Sequence, residues 1–210
     1  METVLILDFG AQYSQLIARR VREQNVYCEV KPCSISPDEI RELAPIGIIL
    51  SGGPQSVYES VSLHVDPALF SLGIPVLGIC YGCQLMAYSL GGTVAAATEA
   101  TAREYGKTLT EFDTQSAIFH GLPASSVTWM SHGDYISQVP DGFTVTAKTA
   151  VCPTAAMACP EKKLYGVQFH PEVQHTVQGS EILRRFLYSV CGASGCLLYT
   201  SPSPRDRSVS

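Results

Sequence analysis

Pro75-Val76-Leu77-Gly78-Ile79-Cys80-Tyr81-Gly82-Cys83-Gln84 is the stretch from which the architecture unfolds. It opens with an apolar run of the length of one buried strand. Gly-x-Cys-x-Gly follows, and then a helix-like segment, 84–90, that stops at Gly91-Gly92. A cysteine between two glycines at a strand-to-helix turn is the thiol counterpart of a nucleophile elbow. The glycines are expected to permit a sharp turn, and the helix N-terminus behind the sulfur to favour the thiolate. Read alone, the same pattern also fits a cysteine that merely ends a core strand.

Upstream of the elbow, strand and helix alternate. Residues 4–7 form an apolar run that ends at Asp8-Phe9-Gly10, and Tyr13, Leu16, Ile17 and Val21 recur at helical spacing. A second strand is predicted at 26–30. Ser36-Pro37-Asp38-Glu39 is a capping box with proline at the first helical position. A third strand, 47–50, runs into Ser51-Gly52-Gly53-Pro54, and Asp66-Pro67 starts another short helix. This pattern implies an α/β fold: an open, mostly parallel central sheet with helices on both faces. The second half is more antiparallel in character, with strands predicted near 93–97, 107–112, 127–130, 143–148, 155–158 and 164–169. An amphipathic helix is predicted at 181–190. The expected domain is 1–192. The stretch 193–210 is rich in Ser, Pro and Arg and reads as a disordered, non-native tail.

Composition narrows the function classes. The chain has 210 residues, 46% of them hydrophobic and 16% charged, enough for one sizeable core. A net charge of −5 argues against a nucleic-acid or membrane-surface role. No apolar run reaches membrane-span length, and Met1-Glu2-Thr3 does not begin a signal peptide. With eight scattered cysteines, read as reduced thiols, the expected compartment is the cytoplasm.

Three candidate sites fall at the ends of predicted strands, the edge where open α/β sheets bind ligands. Cys80 is the candidate nucleophile. In His170-Pro171-Glu172 the proline holds the chain extended, so His170 and Glu172 face one way. The carboxylate can then orient an imidazole that takes a proton from Cys80 and gives it to a leaving amine. Gly53 in Ser51-Gly52-Gly53-Pro54 and the residue after the nucleophile, Tyr81, can supply backbone N–H groups to an oxyanion. Together these residues outline cysteine-based acyl transfer.

At this point the sequence resembles the class I (triad) glutamine amidotransferases, a flavodoxin-like family. The resemblance lies in Ser51-Gly52-Gly53-Pro54, 78–84 and 166–172, and extends over residues 3 to about 192. The stretches 8–23 and Trp129-Met130-Ser131-His132-Gly133-Asp134 are most similar to the branch that serves GMP synthetase. The resemblance implies Cys80, His170 and Glu172 as catalytic residues and Gly53 and Tyr81 as the oxyanion donors. It implies Gly52, Gln84, Ser131, His132 and Gly133 as glutamine-binding residues. Asp134, expected to face outward, would couple to a partner. The implied partner is an ATP-pyrophosphatase domain or subunit that uses ATP and Mg2+ to turn XMP into GMP. No cofactor and no metal are implied for this chain itself, and the partner's Ser-Gly-Gly-x-Asp-Ser phosphate loop has no counterpart here. Cys83 departs from the apolar residue of many relatives; a thiol is close in size to small apolar groups. Three alternatives remain: a thiol–disulfide oxidoreductase using Cys80 and Cys83, a related peptidase or γ-glutamyl hydrolase, and an amidotransferase of another pathway such as anthranilate synthesis.

Overall fold

A computed structural model describes residues 2–10, 12–59, 62–97 and 104–195. The remainder of the predicted tail, 196–210, lies outside the described residues. The elements run β1 (Thr3–Asp8), α1 (Ser14–Glu23), β2 (Tyr27–Pro32), α2 (Pro37–Leu43), β3 (Gly47–Leu50), β4 (Val76–Ile79), α3 (Tyr81–Ser89), β5 (Thr93–Ala96), β6 (Glu104–Phe112), β7 (Ser125–His132), β8 (Asp134–Gln138), β9 (Thr144–Lys148), β10 (Ala156–Cys159), β11 (Leu164–Val167) and α4 (Gly179–Arg185). The main sheet has the order β2-β1-β3-β4-β11-β10-β9-β6-β7, while β5 and β8 form a separate two-stranded sheet.

From β2 to β11 every neighbouring pair is parallel, and from β11 to β7 every pair is antiparallel. This is the α/β architecture expected, with its antiparallel second half. β1, β3, β4 and β11 are buried on both faces because their side chains alternate between two cores, while β2 is a half-exposed edge. On one face Val4, Ile6 and Ile49 pack with Ile17 and Val21 of α1 and Ile182 and Leu183 of α4. On the other, Leu5, Leu7, Ile48 and Leu50 pack with Ile40 of α2 and Leu85 and Met86 of α3. The capping box at Ser36 forms in full: Ser36 Oγ accepts from Glu39 N, and Glu39 Oε2 accepts from Ser36 N.

Four boundaries differ from the sequence reading. The helix after Asp66 is a 3-10 turn over Pro67–Ser71, with Asp66 Oδ1 capping Ala68 N. The last helix leaves α geometry at Phe186 and continues as a π turn over Phe186–Val190. α3 starts at Tyr81, directly after the cysteine. The strand predicted at 127–130 runs on to His132, so the 131–134 bend turns at Gly133 alone between β7 and β8, and β8 was not foreseen. β8 escapes a sequence reading because its one buried residue is Ile136, too little for a period-two signal. No helix among the described residues is long and apolar enough to cross a membrane.

Candidate active site

β4 and β11 lie side by side, with Ile79 opposite Val167, so the residues that follow them meet at one edge of the sheet. Cys80 closes the ladder by donating its N–H to the Val167 carbonyl at 2.8 Å. Its φ of 51° and ψ of −107° are strained for a residue with a side chain. The strain therefore sits on the cysteine rather than on its glycines, whose role is close approach. A Cβ on Gly78 would lie 2.6 Å from the Gly82 carbonyl oxygen, and one on Gly82 2.5 Å from that of Leu50. Gly82 N also donates to the Ser51 carbonyl at 3.2 Å. The two glycines let α3 start hard against β3 and β4, and that sharp entry leaves Cys80 no ordinary conformation.

The Cys80 sulfur is nearly buried, 3.7 Å from the Ser131 carbonyl oxygen and 3.6 Å from Gln168 Nε2. His170 Nδ1 lies 2.7 Å from Glu172 Oε1, which leaves Nε2 for the side of Cys80, whose side chain interacts with the ring. The His170 and Glu172 side chains do face one way, but through a turn at Pro171-Glu172 that folds the carboxylate back to the ring, not through the extended chain expected. Burial pulls the His170 pKa down, but hydrogen bonds to Cys80 and Glu172, and their charges, outweigh it and carry the ring up to about 11. His170 is held at both ends of its backbone: its N–H donates to the Trp129 carbonyl at 3.0 Å and its carbonyl accepts from Thr176 Oγ1 at 2.6 Å. Arg20 Nε donates to the Glu172 carbonyl at 3.0 Å. The Tyr13 ring packs against the imidazole with centroids 5.5 Å apart.

In front of the sulfur lies a cleft of about 380 Å³, lined by Cys80, Tyr81, Gln84, the 53–56 loop, Tyr105 and the 131–134 bend. That is toward the lower end of small-molecule sites, about 300–1,000 Å³. Gly53, Tyr81, Gln84, Ser131, His132 and Gly133 all reach it. The Tyr81 and Gly53 N–H groups donate to no other group among the described residues. Gln84 Nε2 donates to the Asp134 carbonyl at 2.9 Å and to Gln168 Oε1 at 3.1 Å.

Two residues behave differently from expectation. Gly52 is buried and does not line the cleft; its carbonyl accepts from Ser51 Oγ at 3.0 Å. Ser51 itself is fully buried and ties the strand ends together, accepting from Phe9 N while its own N–H donates to the Leu7 carbonyl. Asp134 does not face outward. Its carboxylate accepts from the Ser56 hydroxyl and from Tyr58 Oη, strapping the 53–58 segment to the 131–134 bend. Gln168, Arg20, Tyr105 and Thr176 were not foreseen. Gln168 was accessible to reasoning, because the strand predicted at 164–169 would put it, two residues before His170, on the same side; the structure brings it there through bends at 168–169.

Cys83 does not share the Cys80 environment. It is fully buried against β11, where a Cβ on Gly166 would lie 2.5 Å from its sulfur. Burial pushes its thiol well above the ordinary range, and the neighbouring Cys80 adds to the effect.

The family described as Glutamine amidotransferase class-I matches residues 5–190. A relative from Clostridium botulinum, named GMP synthase [glutamine-hydrolyzing], is 55% identical over 92% of this chain. One from Geobacillus kaustophilus with the same name is 54% identical, also over 92% of the chain. The chain spans about 37–38% of the length of these curated relatives. A crystal structure described as a putative GMP synthase subunit from Thermoplasma acidophilum superposes with a TM-score of 0.78 at 31% identity, covering 91% of this chain and 94% of that one. A glutamine amidotransferase structure from Thermotoga maritima shares the fold at a TM-score of 0.70 and 20% identity, over 91% of this chain and 99% of that one. With a thiol, an imidazole and a carboxylate assembled at the strand ends and a family match over residues 5–190, the protein belongs to the class I glutamine amidotransferases.

Proposed function

We propose that this chain hydrolyses glutamine to glutamate and ammonia at Cys80 and passes the ammonia to an ATP-dependent synthetase that converts XMP to GMP. The observation that carries the first half is the His170–Glu172 hydrogen bond with the Cys80 side chain interacting with the ring at the edge of a cleft. The sulfur attacks the side-chain carbonyl carbon of glutamine, and the N–H groups of Tyr81 and Gly53 receive the developing oxyanion. His170 Nε2 delivers its proton to the amide nitrogen as the C–N bond breaks, and ammonia leaves a thioester. A water then gives a proton to His170 and attacks the thioester carbon. The C–S bond breaks, glutamate departs and the sulfur is restored. Glu172 holds the ring and its charge throughout.

The second half is supported by the names of the curated relatives and by the extra length those relatives have. The partner would be an ATP-pyrophosphatase domain or subunit using ATP and Mg2+, and the compartment the cytoplasm. Asp134 is the proposed coupling residue. Because its carboxylate straps the 53–58 segment to the cleft, a partner that tightens or releases the strap would change how glutamine is gripped.

The test is glutamate release by the chain alone and with such a synthetase supplied with XMP, ATP and Mg2+. Stimulation of about tenfold or more is expected, equivalent to about 1.4 kcal/mol of coupling. Asp134→Ala should lose more of the stimulation than of the basal rate. Cys80→Ala should release no glutamate; His170→Ala should lose about 10²–10⁴ in rate, and Glu172→Ala less. Cys83→Ala should stay active, whereas an oxidoreductase would lose its function. Glutamate release that survives Cys80→Ala would end the proposal.

A further inference from the structure

Behind the bend that walls the cleft lies a buried cluster with no part in the chemistry above. Glu104 and His132 are cross-strand partners on β6 and β7, with side chains 7% and 2% exposed. Glu104 Oε2 and His132 Nε2 are 3.4 Å apart, and among the described residues neither atom has a hydrogen bond. Every neighbouring bond is accounted for. Thr149 Oγ1 accepts from the amides of Cys152 and Val151 at 2.9 and 3.3 Å, so its own proton goes to Glu104 Oε1, 2.7 Å away. His132 Nδ1 lies 2.9 Å from the Asp134 carbonyl oxygen, which also accepts from Gln84 Nε2.

A carbonyl oxygen can only accept, so His132 Nδ1 carries a hydrogen. Nε2 then faces a buried carboxylate oxygen, and two lone pairs cannot be left opposed in a dry interior. A proton shared between the two atoms would remove that opposition. We propose that Glu104 is a positioning residue for glutamine. By sharing that proton with His132 Nε2 it locks the imidazole with its Nδ1–H on the Asp134 carbonyl, and so holds the 131–134 bend in the shape that grips the substrate.

The consequence reaches the sulfur through two short routes. The bend presents the Ser131 carbonyl to Cys80 Sγ, while its Gly133 carbonyl is pinned by Ala97 N at 2.8 Å. Gln84, which shares the Asp134 carbonyl with His132, also bridges to Gln168, and Gln168 donates to Cys80. An unlocked His132 would therefore loosen the wall of the cleft while leaving His170 and Glu172 untouched. The Cys152 sulfur belongs to the same cluster, with its sulfur, Glu104 and His132 able to bring ligand atoms within 4.8 Å of one another. A metal ion bound by these three groups is the competing reading.

The inference rests on glutamine being the substrate of the cleft, and two reagents keep the two ideas apart. Iodoacetamide needs only a reactive Cys80, whereas a diazoketone analogue of glutamine also needs the pocket. In Glu104→Ala the half-saturating concentration of the analogue is expected to rise about tenfold while the iodoacetamide rate at Cys80 stays within about twofold, as for one lost buried hydrogen bond. Glu104→Gln should restore most of the affinity, because its amide can donate to Nε2 and its oxygen can accept from Thr149. Unchanged affinity in Glu104→Ala, equal slowing with both reagents, or a Glu104→Gln as impaired as Glu104→Ala would overturn the proposal. So would one equivalent of metal in the purified chain that is lost in Cys152→Ala. If Glu104→Ala does not fold, His132→Asn, whose amide N–H falls near Nδ1, should bind the analogue more tightly than His132→Gln; the reverse order overturns the idea. An unmodified chain whose Cys80 shows no saturable labelling would remove the proposed function, and this inference with it.

Discussion

Cys80 carries two burdens at once, a reactive sulfur and a backbone in a region that favours glycine. The two can be separated by substitution. Cys80→Ala and Cys80→Gly both lack the thiol, but only glycine accepts a φ of 51° with a ψ of −107° at no steric cost. Cys80→Gly is expected to be more stable than Cys80→Ala by roughly 1 kcal/mol (up to about 2.5), the backbone strain of about 1–3 less about 0.5–1 for the extra entropy of an unfolded glycine. Urea unfolding of the two variants measures it, and equal stabilities would mean that the elbow stores no strain. The sequence announces the elbow through its two glycines but misassigns their work. Gly78 and Gly82 serve contact with the Gly82 and Leu50 carbonyls, a fact about neighbours that no local pattern carries.

At the scale of elements, the position of the base depends on how closely α4 approaches the segment after β11. A Cβ on Gly179 would lie 2.1 Å from the Pro171 carbonyl oxygen, and all the nearest atoms are backbone. Gly179→Ala must push α4 away or shift the His170–Glu172 segment. Its expected cost is about 1–3 kcal/mol of stability, as for other overpacked sites, with at least about a tenfold loss in kcat/KM because a small displacement of the base is costly. Activity and melting both unchanged would show that the segment is held by Trp129 and Thr176 alone. The inner strands of the parallel half were legible because they are short apolar runs punctuated by glycine or proline, as in 47–50 and 75–79. β8 and the Glu104–His132 pair were not. Both owe their places to cross-strand partners distant in sequence, and single acidic or histidine residues in a strand give no periodic signal.

Taken as a whole, the molecule hides proton-binding groups that would ionise more easily once unfolded. Burial raises the thiols of Cys28, Cys33 and Cys83, and pushes those of Cys152 and Cys191 up to about 12. For each thiol the folded state keeps its proton at a pH where the unfolded chain has lost it. His170 has the same sign: despite the pull of burial, its partners lift it to about 11, so its contribution is complete below the unfolded value near 6.5 and is lost as pH rises through 11. Stability should therefore fall from neutral pH upward, more steeply above about 9 where the unfolded thiols ionise, by about 1.4 kcal/mol per pH unit for each proton held only in the folded state. Urea melts in reductant at pH 7, 8.5 and 10 would test this, and a flat or rising profile would contradict it.

β11 occupies the middle of the main sheet, between β4 and β10, yet it follows β4 only after the entire antiparallel half of the chain. Contacts this distant in sequence form slowly, because a long loop must close before any pairing energy is returned. A chain emerging from the ribosome exposes Cys80 well before it has the strand that carries His170. Until β11 pairs along β4 there is a thiol but no base beside it. On the proposed function an incomplete chain would spill no ammonia, and the first turnover would mark the moment at which the last interior strand is inserted.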